Sequence, residues 1–384
     1  MTIRFIHTAD WQLAKPFANF PPLLAGELAA ARIAIIARAA EIARIEGAVH
    51  VLVAGDVFDG EMIESVTIRR ALEQMRQAAP VKWLLLPGNH DPARVGGLWE
   101  RIARIGVPDN VVVLSEERPF ALSPDAIVLP APLTSKNPGR DPTEWMDHAV
   151  TPPGVLRIGL AHGSVHGFGS DGESSVPLAR DRAARSGLAY LALGDWHGAK
   201  QIDDRTWYSG TPEPDRFKDN DAGHVLSVSI DGSAPPTVKM IASAHFNWLQ
   251  IARAVRSIAD VRSIDSQVVA HPDAATRLLA DLKLSGALTL SEYVELESWK
   301  QGLEGRVRHL ELDNSSLALT ATSGDLESLD RAGGVEGAQS GVLTTAARQL
   351  AAIAQDPSHA QREAADLALR RLFAFAAEER EAGA

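Results

Sequence analysis

From Thr2 to about Met240 the chain alternates short apolar runs with longer stretches in which apolar residues recur at helical spacing. Ile3–Thr8, Val49–Ala54, Trp83–Leu86, Arg157–Ala161 and Ala189–Leu193 read as strands. Weaker strands are predicted at Val111–Leu114 and Ala126–Leu129, and further strands at Trp207–Ser209, His224–Ile230 and Thr237–Ile241. Leu23–Glu46, rich in Ala, Ile, Leu and Arg, predicts a long helix packed on a sheet, and Ile63–Ala78 predicts another. The prolines from Pro130 to Pro153 predict a long surface loop. So many strands with helices outside them predict an α/β fold, a layered β-sandwich flanked by helices.

Near Ala242 the pattern changes. Phe246–Ala252 reads as a strand, Asp273–Leu282 as a helix, Ser291–Arg306 as a helix opened by Ser291 with Glu295 near its first turn, and His309–Asp313 as a strand. The Gly, Ser and Asp-rich stretch that follows reads as a linker, and Val342–Gln355 and Ser358–Glu378 as Ala and Leu-rich helices. The predicted organisation is a catalytic domain at 1–241, a small α+β accessory or capping domain at 242–321, a linker at 322–341 and a helical, partner-docking tail at 342–384. A length of 384 residues agrees with more than one domain.

Composition narrows the class. Hydrophobic content of 45% and charged content of 23% exclude collagen-like and disordered chains. The N-terminus enters a strand at once, and no window holds the roughly 18 uninterrupted apolar residues of a membrane span, so a cytoplasmic protein is expected. A net charge of -11 argues against a broad basic grip on nucleic acid, but not against an enzyme of phosphate esters, because clustered carboxylates that hold cations reverse the local field. The absence of cysteine excludes thiolate sites. Any metal must then be held by oxygen and imidazole, which favours manganese or magnesium and leaves zinc or iron open.

Several predicted strands end in residues that can hold such an ion. Val49–Ala54 empties into Gly55-Asp56-Val57-Phe58-Asp59-Gly60, delivering Asp56 to the carboxyl edge of a sheet, where open α/β folds place their chemistry. Thr8-Ala9-Asp10-Trp11-Gln12, Gly88-Asn89-His90-Asp91, Ala161-His162-Gly163 and Gly194-Asp195-Trp196-His197 follow other apolar runs in the same way. Any one alone is an ordinary turn, but together they offer carboxylates at Asp10 and Asp56, an amide at Asn89 and imidazoles at His162 and His197, with Gln12 and Asp195 completing two shells. Cations about 3.5–4 Å apart, held this way, clamp a phosphodiester and activate water. His90 would face the same site and donate a proton to the departing oxygen, with Asp59 placed to accept its other ring N–H. Arg216 and Lys218 are candidate contacts to a nucleic-acid backbone, while His7 and His166 read as structural or substrate-side.

Taken in order, these motifs resemble the calcineurin-like metallophosphoesterases over residues 1 to about 240. His7-Thr8-Ala9-Asp10-Trp11, and an accessory domain followed by terminal helices, are similar to the SbcD and Mre-type DNA repair nucleases, the later part in layout alone. The resemblance implies the metallophosphoesterase fold and two divalent ions, manganese foremost, with magnesium, iron(II) or zinc as alternatives. One ion would take Asp10, Gln12, Asp56 and His197, the other Asp56, Asn89, His162 and Asp195, with His90 as the catalytic imidazole. It further implies DNA as substrate, a coiled-coil ATPase of the SbcC and Rad type as partner, and a homodimer of nuclease subunits.

Gln12 and Asp195 depart from that pattern. Each stands where the family has a metal-binding His; Gln is a weaker, neutral donor, whereas Asp is a good hard ligand. The expected function is a metal-dependent DNA phosphodiesterase, an exonuclease or endonuclease of a repair complex. Its rivals are a phosphatase or phosphodiesterase on nucleotides or other small phosphate esters, and a weakly active scaffold subunit with an altered metal site.

Overall fold

Strands that read as unbroken apolar runs need cover on both faces, and the fold supplies it. The computed structural model describes residues 2–166, 176–218, 220–232, 234–271, 273–320, 322, 324–325, 340–356 and 358–382. They divide into two units, Met1–Phe246 and Asn247–Ala384. The first runs β1 (Thr2–Thr8), α1 (Pro22–Ile45), β2 (His50–Val53), α2 (Ser65–Gln77), β3 (Lys82–Leu85), α3 (Leu98–Ile105), β4 (Val111–Val113), β5 (Phe120–Ser123) and β6 (Ala126–Ala131). It continues with β7 (Leu156–His162), β8 (Ser164–Val165), β9 (Pro177–Leu178), α4 (Arg182–Arg185), β10 (Tyr190–Gly194), β11 (Lys200–Gln201), β12 (Thr206–Tyr208), β13 (His224–Asp231) and β14 (Thr237–Ala242).

Among the described residues these strands make two six-stranded sheets, ordered β14-β13-β1-β2-β3-β4 and β11-β12-β10-β7-β6-β5. β1 to β4 are parallel, as are β12, β10, β7 and β6; β13, β14, β11 and β5 add antiparallel edges, and β8 and β9 pair parallel in a separate two-stranded sheet. Successive side chains of a strand point to opposite faces. Thus Phe5, Leu52 and Leu84 meet Val128, Ile158, Leu160 and Ala192 between the sheets. Their neighbours Ile6, Val51, Trp83 and Leu85 turn outward to the cluster that α1, α2 and α3 complete. Beyond the other sheet, Leu129, Ala161, Leu191 and Leu193 pack with Met146, Leu178 and Ala183. Each Leu or Ile so buried contributes about 1.5–3 kcal/mol by leaving water, enough in sum to hold strained loops at the sheet edges. The fold is the expected layered, helix-flanked sandwich.

The proline-rich connection between β6 and β7 is the long surface loop expected, but it is tied down. A 3₁₀ turn, Glu144–Asp147, buries Met146. Asp141 accepts from the N–H groups of Thr143 and Ala179 at 2.8 and 2.9 Å and from Arg182 at 2.9 Å, so polar side chains staple what the prolines stiffen. Buried Arg182 also stands 2.6 Å from Asp147, paired in charge without hydrogen-bond alignment.

The second unit runs β15 (Asn247–Val255), α5 (Ile258–Arg262), α6 (Asp265–Val269), α7 (Ala274–Arg277), β16 (Leu278–Thr289), α8 (Leu290–Glu304), β17 (His309–Thr320), α9 (Ser340–Gln355) and α10 (Arg362–Ala382). β15, β16 and β17 form a parallel three-stranded sheet over a core of Leu282, Leu284 and Leu288 with Leu296, Leu303, Leu369 and Phe373. The helix expected over Asp273–Leu282 is therefore wrong beyond α7. Leu and Ala favour helix locally, but from Leu278 the chain pairs with β15 and buries its leucines, and that tertiary gain prevails. The helix expected from Ser291 is opened instead by Thr289, whose hydroxyl accepts the Glu292 N–H at 3.2 Å while the Glu292 carboxylate accepts the Thr289 N–H at 2.9 Å. Ser291 donates its N–H to Asp325 at 3.0 Å. β17 runs seven residues beyond its expected end at Asp313, since its partner β16 is equally long. Apart from Thr322, Gly324, Asp325, Ser340 and Gly341, the expected linker at 322–341 lies outside the described residues. No described helix is long and apolar enough to cross a membrane.

Candidate metal centre

Asp10 follows β1, Asp56 follows β2, Asn89 and His90 follow β3, His162 closes β7, and Asp195 and His197 follow β10. The chain leaves these strands in conformations that L residues rarely adopt: φ is 54° at Asp10, 43° at Gln12, 52° at Asp56 and 100° at Asp195. Each such residue costs on the order of 1–3 kcal/mol, and here the strain falls on residues that carry candidate donor atoms. Glycine permits the close approach of the loops. A Cβ at Gly55, where φ is 91°, would run into the His162 ring, and one at Gly88 would run into the Asp56 carboxylate.

Asp10, Asp56 and His162 are buried and present donor atoms within 4.8 Å of one another. His162 Nδ1 donates to the Ala54 carbonyl at 2.8 Å. Its Nε2 then faces Asn89 Oδ1 at 3.0 Å, Asp56 Oδ1 at 3.5 Å and Asp195 Oδ1 at 3.8 Å. The Ser164 hydroxyl donates to Asp195 Oδ2 at 2.8 Å, and the Asp195 N–H lies 3.2 Å from both oxygens of Asp10. The His90 N–H donates to Asp56 Oδ1 at 2.9 Å. Asp91 ties two motifs together, accepting the N–H groups of Gly88 at 2.7 Å and Phe58 at 3.0 Å.

Burial and clustered charge raise the proton affinity of this pocket. Burial, opposed by His197 and His162 and reinforced by Asp56 and Asp195, raises Asp10 to about 7. Burial works against charge on His162, but Asp56, Asp10 and Asp195 outweigh it and lift the imidazole to about 9. A hard divalent cation suits this donor set of carboxylate, amide and imidazole, and would take the protons' place.

His90 stands at the rim with its side chain 37% exposed. Nδ1 is 3.3 Å from the Asp59 main-chain carbonyl and 4.0 Å from its carboxylate, so the carbonyl is the acceptor within reach. Nε2 faces inward, 3.9 Å from Asp56 Oδ2.

The other side of the centre is wired differently. His197 Nδ1 lies 3.3 Å from Asp215 Oδ1, and its Nε2 lies 3.3 Å from Gln12 Nε2. Lys15 Nζ donates to Gln12 Oε1 at 2.9 Å and to Asp215 Oδ2 at 2.6 Å. Arg216 donates to Asp215 at 3.0 and 2.9 Å and comes within 3.3 Å of His197 Nδ1. Burial would raise the Asp215 carboxyl, yet the His197 and Arg216 hydrogen bonds hold it far below the carboxylate range. Lys218 places its ammonium over the Trp196 ring, 4.6 Å from the centroid. His7 is structural: it bonds the Tyr190 hydroxyl at 2.9 Å and the Leu193 carbonyl at 3.2 Å, and burial lowers it to about 3.

Lys15, Ser164 and Asp215 were not foreseen. Asp215 sits between Pro214 and Arg216 as any turn carboxylate does, and only the fold brings it to His197.

Residues 3–245, more than half of the chain, match the family model of the calcineurin-like phosphoesterases. Similar solved structures include purple acid phosphatase PPD1 from yellow lupin (Lupinus luteus) seeds, with a TM-score of 0.41 and 15% identity over 63% of this chain and 52% of that one. The chain thus spans about half the length of the lupin protein. Another is TT1561 of Thermus thermophilus, with a TM-score of 0.40 and 13% identity over 63% of this chain and 100% of that one. None of the curated proteins compared matches the chain. With the family model covering both sheets and every motif of the centre, the chain belongs to the calcineurin-like phosphoesterase family, whose chemistry is metal-dependent hydrolysis of phosphoesters.

Proposed function

We propose that the chain is a metal-dependent phosphodiesterase acting on DNA, of the SbcD and Mre type. The observation that carries the hydrolase reading is the buried Asp10, Asp56 and His162 cluster beneath His90 at an open rim. Divalent metal, manganese foremost, held by Asp10, Asp56, Asn89, His162 and Asp195, would supply electrophilic stabilisation of the phosphate and an activated water. His90 does the remaining proton work: with Nδ1 on the Asp59 carbonyl, the imidazolium turns Nε2–H toward the leaving oxygen. Asp91 holds the loop that carries it, and Ser164 holds Asp195.

Support for a polymeric substrate comes from the rim. Arg216, 55% exposed, and Lys218 stand beside the centre as cations for phosphates flanking the scissile one. A partner is supported by Val342 on α9 and Leu367 and Phe375 on α10, large apolar side chains left exposed. In this reading they dock a coiled-coil ATPase of the SbcC and Rad type, and the enzyme works in the cytoplasm as paired subunits. A manganese-dependent assay comparing linear duplex DNA, circular single-stranded DNA and bis(p-nitrophenyl) phosphate tests the substrate. DNA hydrolysis is expected to exceed that of the small ester. Hydrolysis of the small ester with both DNAs intact would replace this reading by that of a small-ester phosphodiesterase.

A further inference from the structure

We infer that the centre is built for one divalent ion per chain, because Lys15 turns the Gln12 amide so that its nitrogen, and not its oxygen, faces His197. The inference rests on the reading of the centre as an ion-binding phosphoesterase site and concerns how many ions this chain's side chains can hold. The family resemblance implies two.

The Lys15 ammonium has donors and no acceptor. The Gln12 atom 2.9 Å from it must therefore be the carbonyl oxygen. Turning the amide over would set N–H against N–H at that distance. Lys15 does not simply swing away, because Asp215 holds it at 2.6 Å. The amide nitrogen, whose lone pair is delocalised, is left 3.3 Å from His197 Nε2 and has nothing to give a cation.

That orientation also fixes the histidine. Facing an N–H donor, His197 Nε2 is the acceptor and the ring proton sits on Nδ1, toward Asp215 Oδ1; Arg216, 3.3 Å from Nδ1, gives its N–H groups to Asp215 at the shorter distances of 3.0 and 2.9 Å. The lone pair that an ion on this side would require is thus engaged by an amide hydrogen. Lys15 and Arg216, gathered on Asp215, add positive charge to the same side and oppose a second cation. Opposite, the Asn89 amide turns its oxygen, not its nitrogen, toward His162 Nε2 at 3.0 Å, and Asp56 and Asp195 turn carboxylate oxygens the same way.

Equilibrium dialysis of the full-length, ion-free protein against manganese, with bound metal counted by elemental analysis, tests this. Wild type is expected to bind one ion per chain, a second at least about 100-fold more weakly. Lys15→Met frees the amide to present its oxygen and is expected to tighten the second ion by about 10-fold. Gln12→His supplies an imidazole at a left-handed position that histidine tolerates better than most residues, and is expected to bring the count to two. Two ions of similar affinity in wild type would overturn the inference while leaving the ion-binding reading intact. No ion in wild type or in either variant would overturn both. A count that stays at one in both variants, with the second ion no tighter, would show that Lys15 and Gln12 do not set it.

Discussion

The two sides of the centre contain similar residue types and behave as opposites. Around His162 the donor atoms converge: Ala54 takes Nδ1–H, the Ser164 hydroxyl donates to one oxygen of Asp195, and Asn89, Asp56 and Asp195 turn oxygens toward Nε2. Around His197 the hydrogen bonds consume the lone pairs, with Lys15 on the Gln12 oxygen and the Gln12 amide on the ring nitrogen. Ligand capacity therefore belongs to the partners of a side chain as much as to the side chain itself.

Three changes would break or sharpen this contrast. Replacing the two histidines in turn should give the largest effect. His162→Ala is expected to lower manganese affinity and turnover together by about 100-fold or more, whereas His197→Ala should keep bound metal within about twofold of wild type. Equal losses would make the two sides equivalent. His90→Ala comes next: bound manganese should persist while turnover falls by about 100-fold, the result expected of the proton donor proposed above. Parallel loss of metal would make His90 a ligand.

A smaller effect concerns pH. Asp10 and His162 hold protons more firmly in the ion-free fold than at their ordinary values of 3.8 and 6.5. Their contribution to stability is full at low pH and is lost as pH rises, from 3.8 to about 7 for Asp10 and from 6.5 to about 9 for His162. Chelated protein should accordingly melt a few degrees lower at pH 9 than at pH 6, and saturating manganese should flatten the slope. A melting temperature of chelated protein that rises over this interval would take those protons away from the centre.

Much of this was legible along the chain because it is local. Val49–Ala54 ends in Gly55-Asp56, and an apolar run stopped by such a turn leaves few alternatives for where the carboxylate goes. The sandwich was legible for the same reason, its parallel strands being buried on both faces. What stayed hidden depends on distant contacts. Leu278–Leu282 has helix-forming residues and becomes strand only because β15 lies alongside. The staples of the 130–153 connection come from Ala179 and Arg182, residues well beyond it. At the centre, Gln12 announced a weaker donor, but its orientation is set by Lys15, three residues on, and Lys15 is held there by Asp215, which no spacing links to either.

The left-handed backbone at Asp10, Asp56 and Asp195 bears on how fast metal is loaded. These residues take their strained conformations from strand ladders, packed glycines and the Asp91 clamp, none of which is supplied by a cation. An incoming ion finds its donor atoms already assembled and need not wait for a loop to fold around it. The rate of loading should then follow how quickly the ion sheds its own water, which ranks manganese ahead of magnesium, the more reluctant of the two to dehydrate.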